Sequence, residues 1–257
     1  MLIDGIGLEF DEVSLCLNDL DAHNPDLWCL GKLRAYSFQK EAFIHIDSDV
    51  FVWEPVPDRL LSADVLAQNA EAHPIAQRIY DPEQLQAVIQ QVEGWLPEEL
   101  TAYVTRDHMH CAFCCGIFGG CNLDFIRYYA EQSLHLVEEP KNRHVWNLMP
   151  DRSGINPLIE QYLLAACLEY HHGREASQYS KIQIECLFDN FDDAFARGDE
   201  VGFTHLIGFT KQDPDILARL ERRVRTDHPA FYERCLNYRK PGSGTGSKKS
   251  SAPANSP

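Results

Sequence analysis

The chain has 257 residues, 44% hydrophobic and 24% charged, with a formal charge of −16. That acidity argues against nucleic acid as a partner, because Lys and Arg cluster only in the 219–225 run and the tail, and no apolar stretch approaches the ~20 residues of a membrane span. The nine cysteines sit mostly in apolar runs, as reduced buried thiols do, and Asp4, Glu9, Asp11 and Glu12 interrupt any export signal, so a cytoplasmic location is expected.

Residues 1–10 offer at most one short strand. Asn24-Pro25 caps and opens a helix that carries Leu27, Trp28, Leu30 and Leu33 to about Phe38. The dense apolar run 42–46 predicts a fully buried, parallel strand, ended abruptly by Asp47-Ser48-Asp49. Pro55 and Pro57 mark a loop. A second strand is predicted over 63–67, and a helix from Asp81-Pro82 to about Glu93. Next come a buried strand over 112–118, closed by Gly119-Gly120, and a helix capped by Asn122 that runs to about Val137. Residues 139–153 read as a polar loop. A helix then runs from Asn156-Pro157 to about Tyr170, followed by a strand over 181–186, an acidic loop over 189–200 and a strand over 203–207. Asp213-Pro214 opens a basic helix, and a last helix covers about 229–238. Residues 241–257 lack apolar periodicity and are expected to be disordered, leaving 1–240 as a single domain. The alternation of strands and helices implies an α/β fold, a mostly parallel sheet flanked by helices.

Two stretches carry the chemistry. Ligands of open α/β sheets bind beyond the carboxyl ends of strands, which is where Asp47 falls. Residues two apart on extended backbone share a side, so Asp47 and Asp49 could hold one hard cation, Mn²⁺ or Mg²⁺. A capped turn with two solvated aspartates is the competing reading. Far downstream, His205, Gly208 and Lys211 have the spacing His-x2-Gly-x2-Lys. A neutral imidazole suits Mn²⁺ beside carboxylates, glycine admits a phosphate closely, and lysine offers charge to a leaving diphosphate. A core histidine near a strand end competes with that.

Other segments are less specific. Gln68 and Glu71 could bind hydroxyls from a strand end, or belong to an ordinary polar loop. Gly119-Gly120 could let the main chain pass close to a sugar, or form a tight turn. Glu160-Gln161, placed near the start of a helix, could stabilise oxocarbenium charge or sit on the helix surface. His108, His110, Cys111, Cys114 and Cys115 are zinc-type ligands, but only one Cys-x2-Cys is present, and packed cysteines in a strand explain them better.

Trp28-x3-Lys32-Leu33-Arg34, the apolar strand, Asp47-Ser48-Asp49-Val50-Phe51, Pro55 and Leu60-Leu61 together resemble the core of GT-A fold glycosyltransferases, most of all the retaining, glycogenin-like group. The resemblance implies a Rossmann-like GT-A fold. It implies that Asp47 and Asp49 hold a divalent metal bridging the diphosphate of a nucleotide sugar, a UDP-sugar, with His205 completing the metal site. Lys211 would contact the diphosphate, with Lys32 and Gly208 also on the donor. Cys115, Gly116 and Gly119 would lie along the donor sugar and acceptor, and Glu160 and Gln161 near the anomeric carbon as the catalytic pair. The chain departs from the pattern in Gln212-Asp213-Pro214, where the family continues Pro-Trp, in Cys115 for Asn or Ser, and in Glu160 for Asp. The family's first strand and base-binding loop have no counterpart ahead of Asp47. The expected function is metal-dependent sugar transfer from a nucleotide sugar to an unknown acceptor. A non-catalytic nucleotide-sugar or carbohydrate-binding module is the alternative. A phosphohydrolase built on Asp-x-Asp ranks third, because Phe51 stands where such motifs carry Thr or Val.

Overall fold

The computed structural model describes residues 2–72, 80–106, 111–150 and 152–238; the tail, 241–257, lies outside them. The chain divides into two compact units, Ser14–Ile207 and a second made of Met1–Val13 with Gly208–Pro257.

In the larger unit, helix α1 (Cys29–Ser37) leads into strand β1 (Phe43–Ile46), and a tight turn separates β1 from β2 (Val50–Val52). Strand β3 (Val65–Ala72), helices α2 (Pro82–Gln91) and α3 (Glu98–Val104), strand β4 (Cys111–Gly120) and helix α4 (Leu123–Glu138) follow. Helix α5 covers 152–171 in three pieces: α-helical Arg152–Pro157, a π turn Leu158–Tyr162, and α-helical Leu163–His171. Strand β5 (Ile184–Phe188), helix α6 (Phe191–Val201) and strand β6 (Phe203–His205) complete the unit.

Four strands form one sheet in the order β1-β4-β3-β5, and β2 pairs with β6 in a separate ribbon. β4 runs antiparallel to both β1 and β3, whereas β3 and β5 are parallel. The mostly parallel sheet expected from sequence is therefore corrected to a mixed one. A continuous apolar run reports that both faces of a strand are covered, not which way its neighbour runs. β1 is corrected too: it is an edge strand, with Ile46 exposed and the other three residues partly so.

Both faces of the sheet carry a core. Val65, Cys115 and Phe118 join α1, α4 and α5 in the larger cluster, while Leu66 and Ile117 join Leu187, Phe188 and Phe203 under α6 in the smaller. Val65 and Leu66 alternate between the faces as strand geometry requires. Cys115 and Ile117 do not, since residues two apart should share a face. The cause is a break in the β3–β4 register: Ala67 pairs with Phe118 and Asn69 with Cys114, so residues 115–117 stand opposite Gln68 alone. Such irregularities re-aim side chains, often beside sites of function.

Three segments differ from expectation. The acidic stretch 189–200 is mostly helix α6, because its acids are helix-start residues. Asn190 accepts the Asp193 N–H, Asp192 and Asp193 lie in the first turn where the helix dipole favours them, and Gly202 closes the other end. The polar stretch 139–153 contains a 3₁₀ turn Pro140–Asn142, a helical turn Val145–Leu148 and the start of α5. Helix α1 begins at Cys29 rather than Asn24, because its amino end is fastened from outside. Buried Asn156 accepts the Cys29 N–H at 3.1 Å and donates to the Asp26 carbonyl at 2.8 Å.

In the second unit, where the sequence offers at most one short strand, Leu2–Ile6 is a π turn, and Gly208–Gln212 forms a 3₁₀ turn. Helices α7 (Pro214–Asp227) and α8 (Pro229–Asn237) follow, the first capped by Asp213, and Arg234 of α8 donates to the Ile6 carbonyl at 3.1 Å. No helix among the described residues is long and apolar enough to cross a membrane.

Candidate metal centre

Asp47 leaves the carboxyl end of β1 with its N–H on the Gly116 carbonyl at 3.0 Å, and its own carbonyl accepts the Val50 N–H at 3.0 Å. That turn sends the chain into β2, where Val50 pairs with His205, and Leu206 N–H donates to the Asp49 carbonyl at 3.0 Å. The β2–β6 ribbon thus carries His205 across more than 150 positions of sequence to the aspartates. One ligand atom from each of Asp47, Asp49 and His205 lies within 4.8 Å of the others, with His205 Nε2 3.5 Å from Asp49 Oδ1. Two carboxylates and one imidazole at that spacing suit a single Mn²⁺ or Mg²⁺.

The imidazole is oriented from behind. His205 Nδ1 lies 2.7 Å from Gln68 Oε1. Gln68 Oε1 can only accept, so Nδ1 turns an N–H to it and Nε2 is the ring atom left facing the aspartates. Gln68 in turn donates to Asn69 Oδ1 at 3.1 Å. Gln68, expected to meet a substrate hydroxyl, is a buried residue that positions His205.

Gly116 makes that contact possible. A Cβ there would stand 2.4 Å from Gln68 Oε1 and 2.5 Å from His205 Nδ1. Gly116→Ala is therefore expected to push the imidazole off its position and weaken Mn²⁺ binding by about 10–100-fold, the range typical of lost outer-shell partners. Calorimetric Mn²⁺ titration of this variant is the check; undiminished affinity would mean that His205 does not need Gln68 to bind metal. Gly119 has a different task. At φ +154° its absent Cβ would lie 2.0 Å from the Phe43 carbonyl oxygen, so it serves the close packing of β1 on β4.

On the other side of the centre, Lys32 Nζ lies 3.1 Å from both carboxylate oxygens of Asp47 and 2.8 Å from Glu160 Oε1. His45 Nε2 is 3.0 Å from Asp47 Oδ1. Burial works to raise the Asp47 pKa, but the His45 hydrogen bond and the Lys32 charge outweigh it and hold the carboxyl below the usual range. Burial likewise opposes the Lys32 charge, yet Glu160 and Asp47 together hold the ammonium above the usual lysine range.

Glu160 is wholly buried on the π turn of α5, not on a helix surface. Tyr36 donates to its Oε1 at 3.2 Å, Tyr129 donates to its main-chain carbonyl at 2.6 Å, and Oε2 has no hydrogen-bond partner among the described residues. Full burial pushes its carboxyl up against the pull of Lys32. π turns within α-helices often accompany functional sites. Gln161 sits in a second network, where the Tyr80 hydroxyl lies 2.5 Å from Gln161 Oε1 and 2.6 Å from Glu71 Oε2. Burial raises the Glu71 carboxyl in spite of that hydrogen bond.

Cys115 is fully buried in the larger core, with its thiol directed to the Phe113 carbonyl at 3.3 Å and its pKa pushed far up by burial. Gly208 and Lys211 belong to the second unit, on its 3₁₀ turn. Of the zinc-type ligands, His108 and His110 lie outside the described residues, and Cys111, Cys114 and Cys115 are free thiols. The sequence did not single out His45, although it stands two residues before Asp47 on extended backbone and so on the same side. Asn156, read from sequence as the start of a helix, lies instead within Arg152–Pro157, and its hold on α1 has no local signal.

The chain belongs to a family of unknown function, DUF6734, which matches it over residues 1–238. Neither a curated protein nor a solved structure matches it.

Proposed function

We propose that this member of DUF6734 is a divalent-metal-dependent glycosyltransferase that takes a sugar from a nucleotide-sugar donor, a UDP-sugar, on a GT-A-like fold. The observation that carries this reading is the meeting of Asp47, Asp49 and His205 within 4.8 Å. They are the three residues that the resemblance to glycogenin-like enzymes names as metal ligands. Mn²⁺ or Mg²⁺ held there would supply positive charge to a leaving diphosphate. Asp47 and Asp49 provide hard oxygen ligands, and His205 a nitrogen ligand held in one tautomer by Gln68. The His45 hydrogen bond and the Lys32 charge favour the ionised form of Asp47. Glu160, at hydrogen-bond distance from Lys32, is the acidic group next to the centre, and Gln161 is its neighbour on the π turn.

A thermal-shift series with UDP-, GDP- and ADP-sugars, each with and without Mn²⁺, tests the reading. A ligand that binds only the folded protein stabilises it by about 2.7 kcal/mol at a hundred times its Kd. Stabilisation is expected when a nucleotide sugar and Mn²⁺ are present together, and the nucleotide sugar should lose its sugar slowly to water. No shift with any pair, or shifts indifferent to Mn²⁺, would defeat the reading.

A further inference from the structure

A cavity of about 330 Å³ opens at the amino end of α1, walled by Leu20, Leu27 and Trp28, with Asp21, His23 and Asn24 supplying polar groups. Trp28 is its unusual feature. Its chain neighbours Leu27, Cys29 and Leu30 are buried, whereas Trp28 is 50% exposed. An indole costs free energy to leave in water, and exposed large aromatics beside a cavity are how proteins grip ligands that are part apolar and part polar.

Lys32, which is not on the lining, links Trp28 to the metal centre. Lys32, one helical turn after Trp28, holds its Nζ 5.1 Å from the centre of the indole ring and 3.1 Å from the Asp47 carboxylate. One ammonium group therefore spans the aromatic wall and a metal ligand, and anchors the indole through a cation–π contact. Gly31, also on the lining, leaves open space where a side chain would begin, since a Cβ there meets nothing within 4 Å.

We propose that this cavity is a carbohydrate subsite, in which a pyranose ring lays its C–H face on Trp28 and hydrogen-bonds its hydroxyls to Asp21, His23 and Asn24. The lining fits that class of ligand. A pyranose presents an apolar face and a rim of hydroxyls that both donate and accept, and the cavity offers an aromatic plate with a rim of mixed donors and acceptors. The Asp21 carboxylate disfavours a phosphate, so the ligand is the neutral sugar rather than the diphosphate. The subsite's part in transfer rests on the function proposed above, where it would hold the acceptor or the donor's sugar.

Saturation-transfer NMR on the whole chain, with free glucose, galactose, mannose, xylose and N-acetylglucosamine as probes and uridine and adenosine as controls, tests the proposal. At least one pyranose should take up saturation, its ring C–H protons most strongly. Trp28→Ala should weaken that sugar by about tenfold, and Trp28→Phe should restore most of the loss. Mn²⁺ titration should be unchanged in both variants, which also reports that they are folded. Three results overturn the proposal: no pyranose binding in the wild type, binding that survives Trp28→Ala undiminished, or Trp28-dependent binding of the nucleosides in place of sugars. Trp28-dependent pyranose binding in a wild-type protein that takes up no Mn²⁺ would uphold the subsite and defeat the transferase reading alone.

Discussion

Replacing Lys32 by alanine is expected to destabilise the protein by about 3–5 kcal/mol, the usual result of breaking a buried ion pair from one side. Lys32 is 12% exposed and Glu160 wholly buried, so the carboxylate left behind has no water to turn to. The loss should depend on pH in a definite direction. The Glu160 pKa is already raised in the fold by burial, with Lys32 opposing the rise. A carboxyl raised in the folded state favours folding while protonated, so its contribution is present below the unfolded pKa and is lost as pH rises through the folded one. Without Lys32 the folded pKa rises further. The Lys32→Ala protein should therefore be weakest at mildly alkaline pH and recover on acidification toward pH 5. Lys32→Ala combined with Glu160→Gln should regain stability at pH 8, because the amide has no charge to strand. Urea midpoints of the single and double variants at pH 5 and pH 8 check this. A loss of equal size at both pH values would mean that Glu160 is not the group left uncompensated.

Asp49→Asn should have the largest effect on the centre. It keeps the size of the side chain and removes one of two anionic ligands. Mn²⁺ affinity should fall by more than about 100-fold, beyond the 10–100-fold expected of an outer-shell change such as Gly116→Ala. Asp49 is partly exposed, its carbonyl accepts the Leu206 N–H across the β2–β6 ribbon, and asparagine keeps that main-chain bond. The melting temperature without metal should therefore move little, while the upward shift produced by Mn²⁺ in the wild type disappears. A variant that still gains stability from Mn²⁺ would remove Asp49 from the ligand set.

How much of this was legible follows from the range over which each signal acts. Asp47 and Asp49 could be read because a strand end and a two-residue spacing are local features. His205 was found through its spacing to Gly208 and Lys211, yet nothing local says that β6 pairs with β2, the step that brings His205 to the aspartates. The part that Gln68 and Gly116 play beside His205 has no local sign in the sequence. Their roles arise from a register break between β3 and β4, and a register belongs to two strands at once. At β1 neither strand direction nor burial follows from the apolar run, because the strand lies at the edge of the sheet. Helix α6 reads as a loop in the sequence because its acids count there as charge, whereas in the fold they are cap and first-turn residues. Asn156 fastens α1 from 127 positions away, a distance at which no pattern in the chain announces a contact.

The central claim is that Asp47, Asp49 and His205 hold one ion. Pulsed electron paramagnetic resonance on the Mn²⁺-loaded protein tests it most directly, because a nitrogen bonded to manganese modulates the electron spin echo at ¹⁴N frequencies. The wild type should show that modulation from one imidazole. His205→Ala should lose it, and Gly116→Ala should weaken it. A wild-type spectrum with oxygen ligands only, or a ¹⁴N signal that persists in His205→Ala, would contradict the shared site.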